Sequence, residues 1–122
     1  MKRLTDALDQ YMNDYLNTYV EQKGLNPDNA DDYIEDKEYL DMLENDLEDK
    51  GFSKEEAQGI VVRSLDKETA YKFMAYVILL CNSFENMDEM KKVIVDDLYW
   101  SLDDFTEDEL NKIYKYSEQI DF

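Results

Sequence analysis

The most constraining feature of the sequence is an uninterrupted apolar run, FMAYVILLC, at residues 73–81. Lys72 precedes the run and Asn82 follows it. A helix that spans a bilayer needs about 20 apolar residues, so this run is too short to cross a membrane. The residues that lead into it follow a helix-starting pattern rather than the turn-bounded pattern of a strand. The sequence therefore predicts a buried central helix over about 67–82.

The composition is that of a folded acidic protein. The 122 residues include 31 acidic and 13 basic side chains and no histidine, for a net charge of −18, yet 43% of residues are apolar and 13% are aromatic. Disordered chains have few aromatic residues and low hydrophobicity, and a chain of this length buries a core without disulfides or metals. We expect a single domain, 1–122. Its charge repels nucleic acid and anionic membranes, which favours a basic protein as partner.

The single cysteine, Cys81, excludes an internal disulfide, and its place in the apolar run predicts a buried structural thiol. The first residues lack the pattern of a signal peptide, since Asp6 and Asp9 follow the basic start, which predicts a cytoplasmic protein. Without histidine, the chain has no Ser-His-Asp or Cys-His arrangement and no ordinary zinc site. We expect no catalytic residue, no cofactor and no metal.

Apolar residues recur elsewhere at spacings of three and four, which is typical of amphipathic helices. We predict an all-α fold, a single compact domain of five to six helices packed around the central helix. The predicted helices cover residues 3–22, about 28–49, 53 to about 64 and about 67–82, with a fifth from Asn86 and a sixth from Thr106. In the first helix Tyr11, Tyr15 and Tyr19 form a ladder, interpreted as a core stripe with solvated hydroxyl groups, with a ligand site as the alternative.

Several helix starts carry capping patterns. Two of them are capping boxes, Ser53 with Glu56 and Thr106 with Glu109, in which the hydroxyl and the glutamate three residues later each accept a backbone N–H. Asp66 and Asn86 are expected to cap the central and the fifth helix. The fifth helix is predicted to place Met87, Met90, Ile94 and Leu98 on one face, with Val93, Val95 and Tyr99 beside them.

The acidic excess is confined to two segments. Residues 28–50 contain eleven acidic and two basic side chains, a net charge of −9, and residues 85–110 contain ten and two, a net charge of −8. A small domain stays soluble with a net charge of about 2–8 in magnitude. The excess in these two segments therefore exceeds what solubility requires.

On a helical wheel, the second helix separates its apolar and acidic residues. Tyr33, Leu40, Leu43 and Leu47 fall on the core side, opposite Asp31, Glu35, Glu38, Asp41, Glu48 and Asp49. Ile34 and Met42 project from within the acidic face. These two are either isolated exposed residues or neighbours of another helix, or else apolar anchors for a partner.

The charge density of this helix suggests a nucleic-acid mimic. Over about 22 residues, or roughly 33 Å, its eleven carboxylates average about one per 3 Å, close to the 3.4 Å phosphate spacing of a DNA strand. Size and composition are similar to those of acidic phage-encoded inhibitors of restriction or CRISPR nucleases. We therefore expect a non-enzymatic inhibitor that occupies the basic nucleic-acid-binding surface of a partner enzyme. The candidate partner-binding residues are Asp31, Ile34, Glu35, Glu38, Asp41, Met42, Glu48, Asp49, Asp103, Asp104, Glu107 and Asp108, with Trp100 either an interface anchor or a core residue.

Two alternatives remain open. Helical nucleotide pyrophosphohydrolases hold Mg²⁺ with pairs of carboxylates three residues apart, and the pairs Glu35/Glu38 and Glu85/Asp88 have that spacing. The 46 residues between the pairs are too many for that family, and such pairs arise by chance in so acidic a chain. The other alternative is a self-associating module or an antitoxin-like partner of a basic toxin. The oligomeric state is not predicted.

Overall fold

The computed structural model describes residues 1–26, 28 and 37–120, and helices are the only regular secondary structure in them. Six α-helices follow one another: α1 (Leu4–Gln22), α2 (Lys37–Asp49), α3 (Lys54–Val61), α4 (Lys67–Cys81), α5 (Met87–Lys92) and α6 (Glu107–Ser117). A π-helical turn, Val93–Asp97, extends α5, and a 3-10 turn, Leu102–Asp104, precedes α6. The predicted fold class is confirmed.

The central helix forms where the apolar run predicted it. Asp66 caps α4 by accepting the backbone N–H of Thr69 at 2.7 Å, and every residue from Thr69 to Ile78 is buried. The helices α1, α3 and α6 and the π-helical turn all pack against α4. A helix that is apolar on all sides must be enclosed in this way, and α4 is therefore the scaffold for the surrounding helices.

The tyrosine ladder of α1 belongs to the core. The Tyr11 ring packs edge-on against Phe73 and Tyr76 of α4, with centroids 5.6 and 5.5 Å away. Tyr19 packs against Tyr39 of α2 with centroids 5.5 Å apart. These aromatic contacts join α1 to both of its neighbours, which confirms the core placement of the ladder. The hydroxyl groups were expected to be solvated, but those of Tyr11 and Tyr15 donate to Asp46 and to the Met42 carbonyl.

The second helix begins at Lys37 in the described residues, and the predicted portion over 29–36 lies outside them. Its predicted apolar side is confirmed for Leu43 and Leu47, which are buried, and Leu40 packs against the core. Tyr39, which the wheel did not assign to the core, is only 3% exposed. It lies at the edge of the apolar stripe and contacts α1 through its ring.

The α-helical part of the fifth helix ends at Lys92, before the apolar pattern that predicted it ends. After Lys92 the backbone enters the π-helical turn, in which the N–H of Leu98 bonds to the carbonyl of Val93, five residues back, at 3.1 Å. The wider turn keeps Met90, Ile94 and Leu98 buried and rotates Val95 outward. Tyr99, with φ of 57°, reverses the chain and is 85% exposed. The predicted placement of Val95 and Tyr99 beside the apolar face is therefore wrong.

The structure also shows whether Trp100 and Cys81 are buried. Trp100 is a core residue, 7% exposed, with its ring 6.2 Å from that of Phe105 and 6.0 Å from the Arg3 guanidinium. Cys81 is exposed, so the prediction of a buried thiol is wrong. It is the last residue of α4, and that helix leaves the core after Ile78, with Leu80 already 48% exposed. Within the described part of the chain, no helix is both long enough and apolar enough to cross a membrane.

Candidate partner-binding surface

Most carboxylates of α2 point away from the core because the helix repeat places them opposite Leu43 and Leu47. Five of them form what we call the α2 carboxylate face: Glu38, Asp41, Glu44, Glu48 and Asp49. Glu38, Asp41 and Asp49 are exposed, and the other two are half-buried. The predicted separation of acidic and apolar residues on this helix is confirmed for 37–49.

The α2 carboxylate face is only partly neutralised from within the molecule. Glu38 forms an ion pair with Lys23 at 2.5 Å, and Glu44 accepts a long hydrogen bond from Gln58 at 3.4 Å. Among the described residues, none of the remaining three carboxylates, at Asp41, Glu48 and Asp49, has an ion-pair partner. Three carboxylates on this face therefore keep their charge for an external cation.

The position of the last two acids is unfavourable for the helix itself. Glu48 and Asp49 lie in the last turn of α2, which carries no basic residue, and the C-terminal end of a helix bears a partial negative charge. Each acid there costs about 0.3–1 kcal/mol. Helix stability therefore does not explain these two carboxylates.

The acids predicted around α6 have a different setting. Asp104 accepts a hydrogen bond from Arg3 Nε at 2.7 Å and lies 3.9 Å from Lys2 Nζ. The bond from Arg3 holds the pKa of the Asp104 carboxyl below its usual value. Asp103, exposed in the 3-10 turn, has no described ion pair.

The first turn of α6 contains the two other predicted acids. Glu107 lies 4.0 Å from Lys91, and Asp108 pairs with Lys112 at 3.2 Å. Carboxylates in a first helical turn also stabilise the helix through its dipole. Most of the charge predicted to bind a partner near α6 thus already has an internal role.

Three predicted partner-binding residues, Asp31, Ile34 and Glu35, lie outside the described residues. Met42, the other apolar residue predicted within the acidic face, is half-buried and packs against the core. Its carbonyl accepts a hydrogen bond from the Tyr15 hydroxyl at 3.2 Å. Met42 is therefore a neighbour of α1 rather than an isolated apolar residue on the acidic face.

The sequence did not predict the polar cluster between α1, α2 and α4. The hydroxyl groups of Tyr11 and Tyr76 both donate to Oδ2 of Asp46, at 2.9 and 3.3 Å. We call this group the Asp46 cluster. Burial raises the pKa of both phenols, with the negative charge of Asp46 adding to the effect. Both tyrosines therefore stay protonated as donors, and Asp46 is turned away from the α2 carboxylate face.

A pocket of about 450 Å³ opens beside the Asp46 cluster. Its lining comes from three helices: Gln10, Tyr11, Asp14, Tyr15 and Thr18 of α1, Asp46 and Lys50 at the end of α2, and Tyr76, Val77, Leu80 and Cys81 of α4. Partial burial raises the pKa of the Cys81 thiol, and Asp97 raises it further. The signal that could have located this pocket was the tyrosine ladder together with an acid at the edge of the apolar stripe of α2.

The described residues contain no group of three or more carboxylate or thiol side chains arranged to hold a metal ion. Of the two pairs considered for Mg²⁺, Glu35 lies outside the described residues and Glu38 is paired with Lys23. Comparisons with protein-family models, with curated proteins and with solved structures found no match to this chain.

Proposed function

We propose that this chain is a non-enzymatic binding module whose α2 carboxylate face occupies the basic nucleic-acid-binding surface of a partner protein in the cytoplasm. The observation that carries the proposal is the set of three carboxylates, Asp41, Glu48 and Asp49, which project outward with no cation from the described part of the chain. Two of them also oppose the dipole of their own helix. These two acids therefore do not stabilise the helix that carries them, and they remain available to a partner.

The spacing of the face supports a phosphate-like pattern. From Glu38 to Asp49 the helix rises about 16 Å, so the five carboxylates of the face average about one per 4 Å along its axis. Phosphates follow one another at about 3.4 Å on one DNA strand. A groove lined with Lys and Arg for such a strand would therefore meet charges at a similar interval.

The remainder of the charge would act at longer range. A net charge of −18 steers a basic partner toward the protein and speeds association, and salt screens this attraction. The α6 acids add to this field, but their internal ion pairs reduce what each offers in direct contact. Restriction or CRISPR nucleases exemplify partners with such a basic groove.

Affinity capture from the native host, with nuclease treatment to remove bridging nucleic acid, tests the proposal. We expect a nucleic-acid-binding protein among the captured proteins, and we expect Asp41→Asn with Glu48→Gln and Asp49→Asn to reduce its capture. The matched control removes three exposed acids elsewhere, with Glu21→Gln, Glu55→Gln and Glu118→Gln. Capture of ribosomal proteins alone, or equal loss in both triple variants, would show nonspecific attraction between acid and base.

A further inference from the structure

The pocket beside the Asp46 cluster has the size of a ligand site. Its volume of about 450 Å³ falls within the range of about 300–1,000 Å³ typical of small-molecule pockets. Three helices contribute to it, and its walls are fixed by packing against α4, the most deeply buried helix. The α2 carboxylate face does not include it, although Asp49 lies one turn from Asp46 on the same helix.

The walls of the pocket combine aromatic and aliphatic surface with a few polar side chains, among them Gln10, Thr18 and Lys50. Tyr11, Tyr15 and Tyr76 line it, and their hydroxyl protons are already donated, two to Asp46 and one to the Met42 carbonyl. Leu80 adds a side chain that is 48% exposed at this position. Tyrosine rings attract cations to their faces, so the lining suits a cation attached to an apolar stem.

The electrostatic environment points to the same ligand class. Asp14 and Asp46 both line the pocket, against the single basic residue Lys50. Burial and then the charge of Asp46 raise the pKa of Tyr15, while burial, Asp97 and Asp14 raise that of Cys81. Two of the lining groups, one on α1 and one on α4, thus experience a negative potential, which favours a cation and disfavours an anion.

We propose that this pocket binds an arginine side chain of the partner, with its guanidinium group against the half-buried Tyr15 ring and paired with Asp46 and Asp14. Arginine fits better than lysine because its guanidinium is planar, weakly hydrated and able to stack on aromatic rings. The identity of the occupant rests on the proposed function, since basic nucleic-acid-binding surfaces are rich in arginine. The pocket is the specific anchor, and the α2 carboxylate face supplies the broader electrostatic contact.

An NMR titration with N-acetyl-arginine amide tests the pocket on the whole chain without its partner. We expect backbone amide shifts to concentrate on the pocket residues of α1 and α4. N-acetyl-citrulline amide, which has the same shape without the charge, should cause no such shifts, and N-acetyl-lysine amide should bind more weakly. Equal binding of the citrulline probe, or shifts spread over all acidic surfaces, would overturn the proposal.

Two variants locate the binding site. Asp46→Asn should weaken binding of the arginine probe about tenfold, because it removes a charge-assisted contact. Since Asp46 also holds Tyr11 and Tyr76, the exposed Asp14 provides a second test: Asp14→Asn should weaken binding roughly threefold. Asp88→Asn, at an exposed position on α5, is the matched control. Unchanged affinity in both pocket variants would overturn the proposal.

The same variants separate this inference from the proposed function. If the arginine probe binds and Asp14→Asn also weakens capture of the partner, the occupant is assigned as proposed. If the probe binds but capture is unaffected, the assignment of the occupant to the partner is wrong. Loss of capture in the α2 triple variant, with no binding of the arginine probe, would leave the proposed function standing and overturn the pocket.

Discussion

Lys72 is a charged residue within the core, only 6% exposed, on the helix around which the chain folds. Its Nζ donates to the Gly51 carbonyl at 2.7 Å and to Glu56 at 3.2 Å, and it lies 5.0 Å from the centre of the Phe52 ring. Glu56 also completes the capping box of α3. One buried ammonium group therefore joins α4 to the turn between α2 and α3.

Replacing Lys72 by Met should lower the free energy of unfolding by about 1–3 kcal/mol, because the Gly51 carbonyl loses its buried donor. Urea unfolding followed by circular dichroism measures this change. Lys67→Met, at an exposed position in the first turn of α4, is the control and should change stability by less than about 0.5 kcal/mol. Equal effects of the two substitutions would contradict a structural role for the Lys72 ammonium.

The ion pair between Arg3 and Asp104 gives the stability a defined dependence on pH. Because the folded pKa of Asp104 lies below its ordinary value of 3.8, the pair stabilises the fold above about pH 4 and loses this effect as pH falls through the lowered pKa. Asp104→Asn should therefore be less stable than the wild type at neutral pH, and the difference should vanish in acid. Asp103→Asn, which removes a neighbour without an ion pair among the described residues, should show no such convergence in thermal unfolding measured across pH.

Acidic residues have opposite effects on α2 and α6 because they lie at opposite helix ends. In α6, Glu107 and Asp108 occupy the first turn, where the helix dipole favours them. In α2, Glu48 and Asp49 occupy the last turn, where it opposes them. The same residue types thus support one helix and weaken the other.

Neutralising the last turn of α2 should therefore stabilise the protein. We expect Glu48→Gln with Asp49→Asn to raise the free energy of unfolding by about 0.3–1 kcal/mol for each substitution. The matched change at α6, Glu107→Gln with Asp108→Asn, should lower the melting temperature instead. A loss of stability in the α2 variant would mean that these acids have a folding role, and the argument for binding would lose the support it takes from the helix dipole.

Local patterns predicted most of the fold. The capping boxes at Ser53 and Thr106 were visible because each partner lies three residues away, and both are present, with hydrogen bonds of 2.8–3.1 Å. The central helix was visible because nothing polar interrupts residues 73–81. Patterns of this kind depend only on residues close in sequence, so they predict local structure correctly without knowledge of the tertiary packing.

The residues that sequence reasoning placed wrongly or left undecided depend on distant neighbours. Cys81 is exposed because the end of α4 extends beyond the helices that cover the rest of it. Met42 is half-buried because α1 lies beside it. Asp46 resembles every other acid of α2 in the sequence, yet two hydroxyl groups from other helices bind it. The π-helical turn that exposes Val95 has no local sequence signature. For the candidate site, the sequence therefore predicted the acidic face, and for the pocket it offered only the ligand-site alternative for the tyrosine ladder, without Asp46 or the side chains of α4.

For the whole molecule, the net charge of −18 opposes folding through self-repulsion and favours association with a basic partner. Salt screens both effects. Raising the salt from about 0.01 M to about 0.15 M shortens the Debye length from about 30 Å to about 8 Å. We therefore expect the melting temperature to rise over this range while the affinity for the partner falls. A melting temperature that decreases with salt would show that internal ion pairs outweigh repulsion.

The most direct test of the central claim is a competition between this protein and nucleic acid for the captured partner. Fluorescence anisotropy of a labelled oligonucleotide on that partner reports its displacement. We predict that the wild-type protein displaces the oligonucleotide, and that the variant with Asp41→Asn, Glu48→Gln and Asp49→Asn needs about tenfold higher concentration, or roughly 1.4 kcal/mol of lost affinity. The control triple variant at Glu21, Glu55 and Glu118, which has the same net charge, should compete like the wild type. Simultaneous binding of protein and oligonucleotide, or equal competition by both triple variants, would contradict the account.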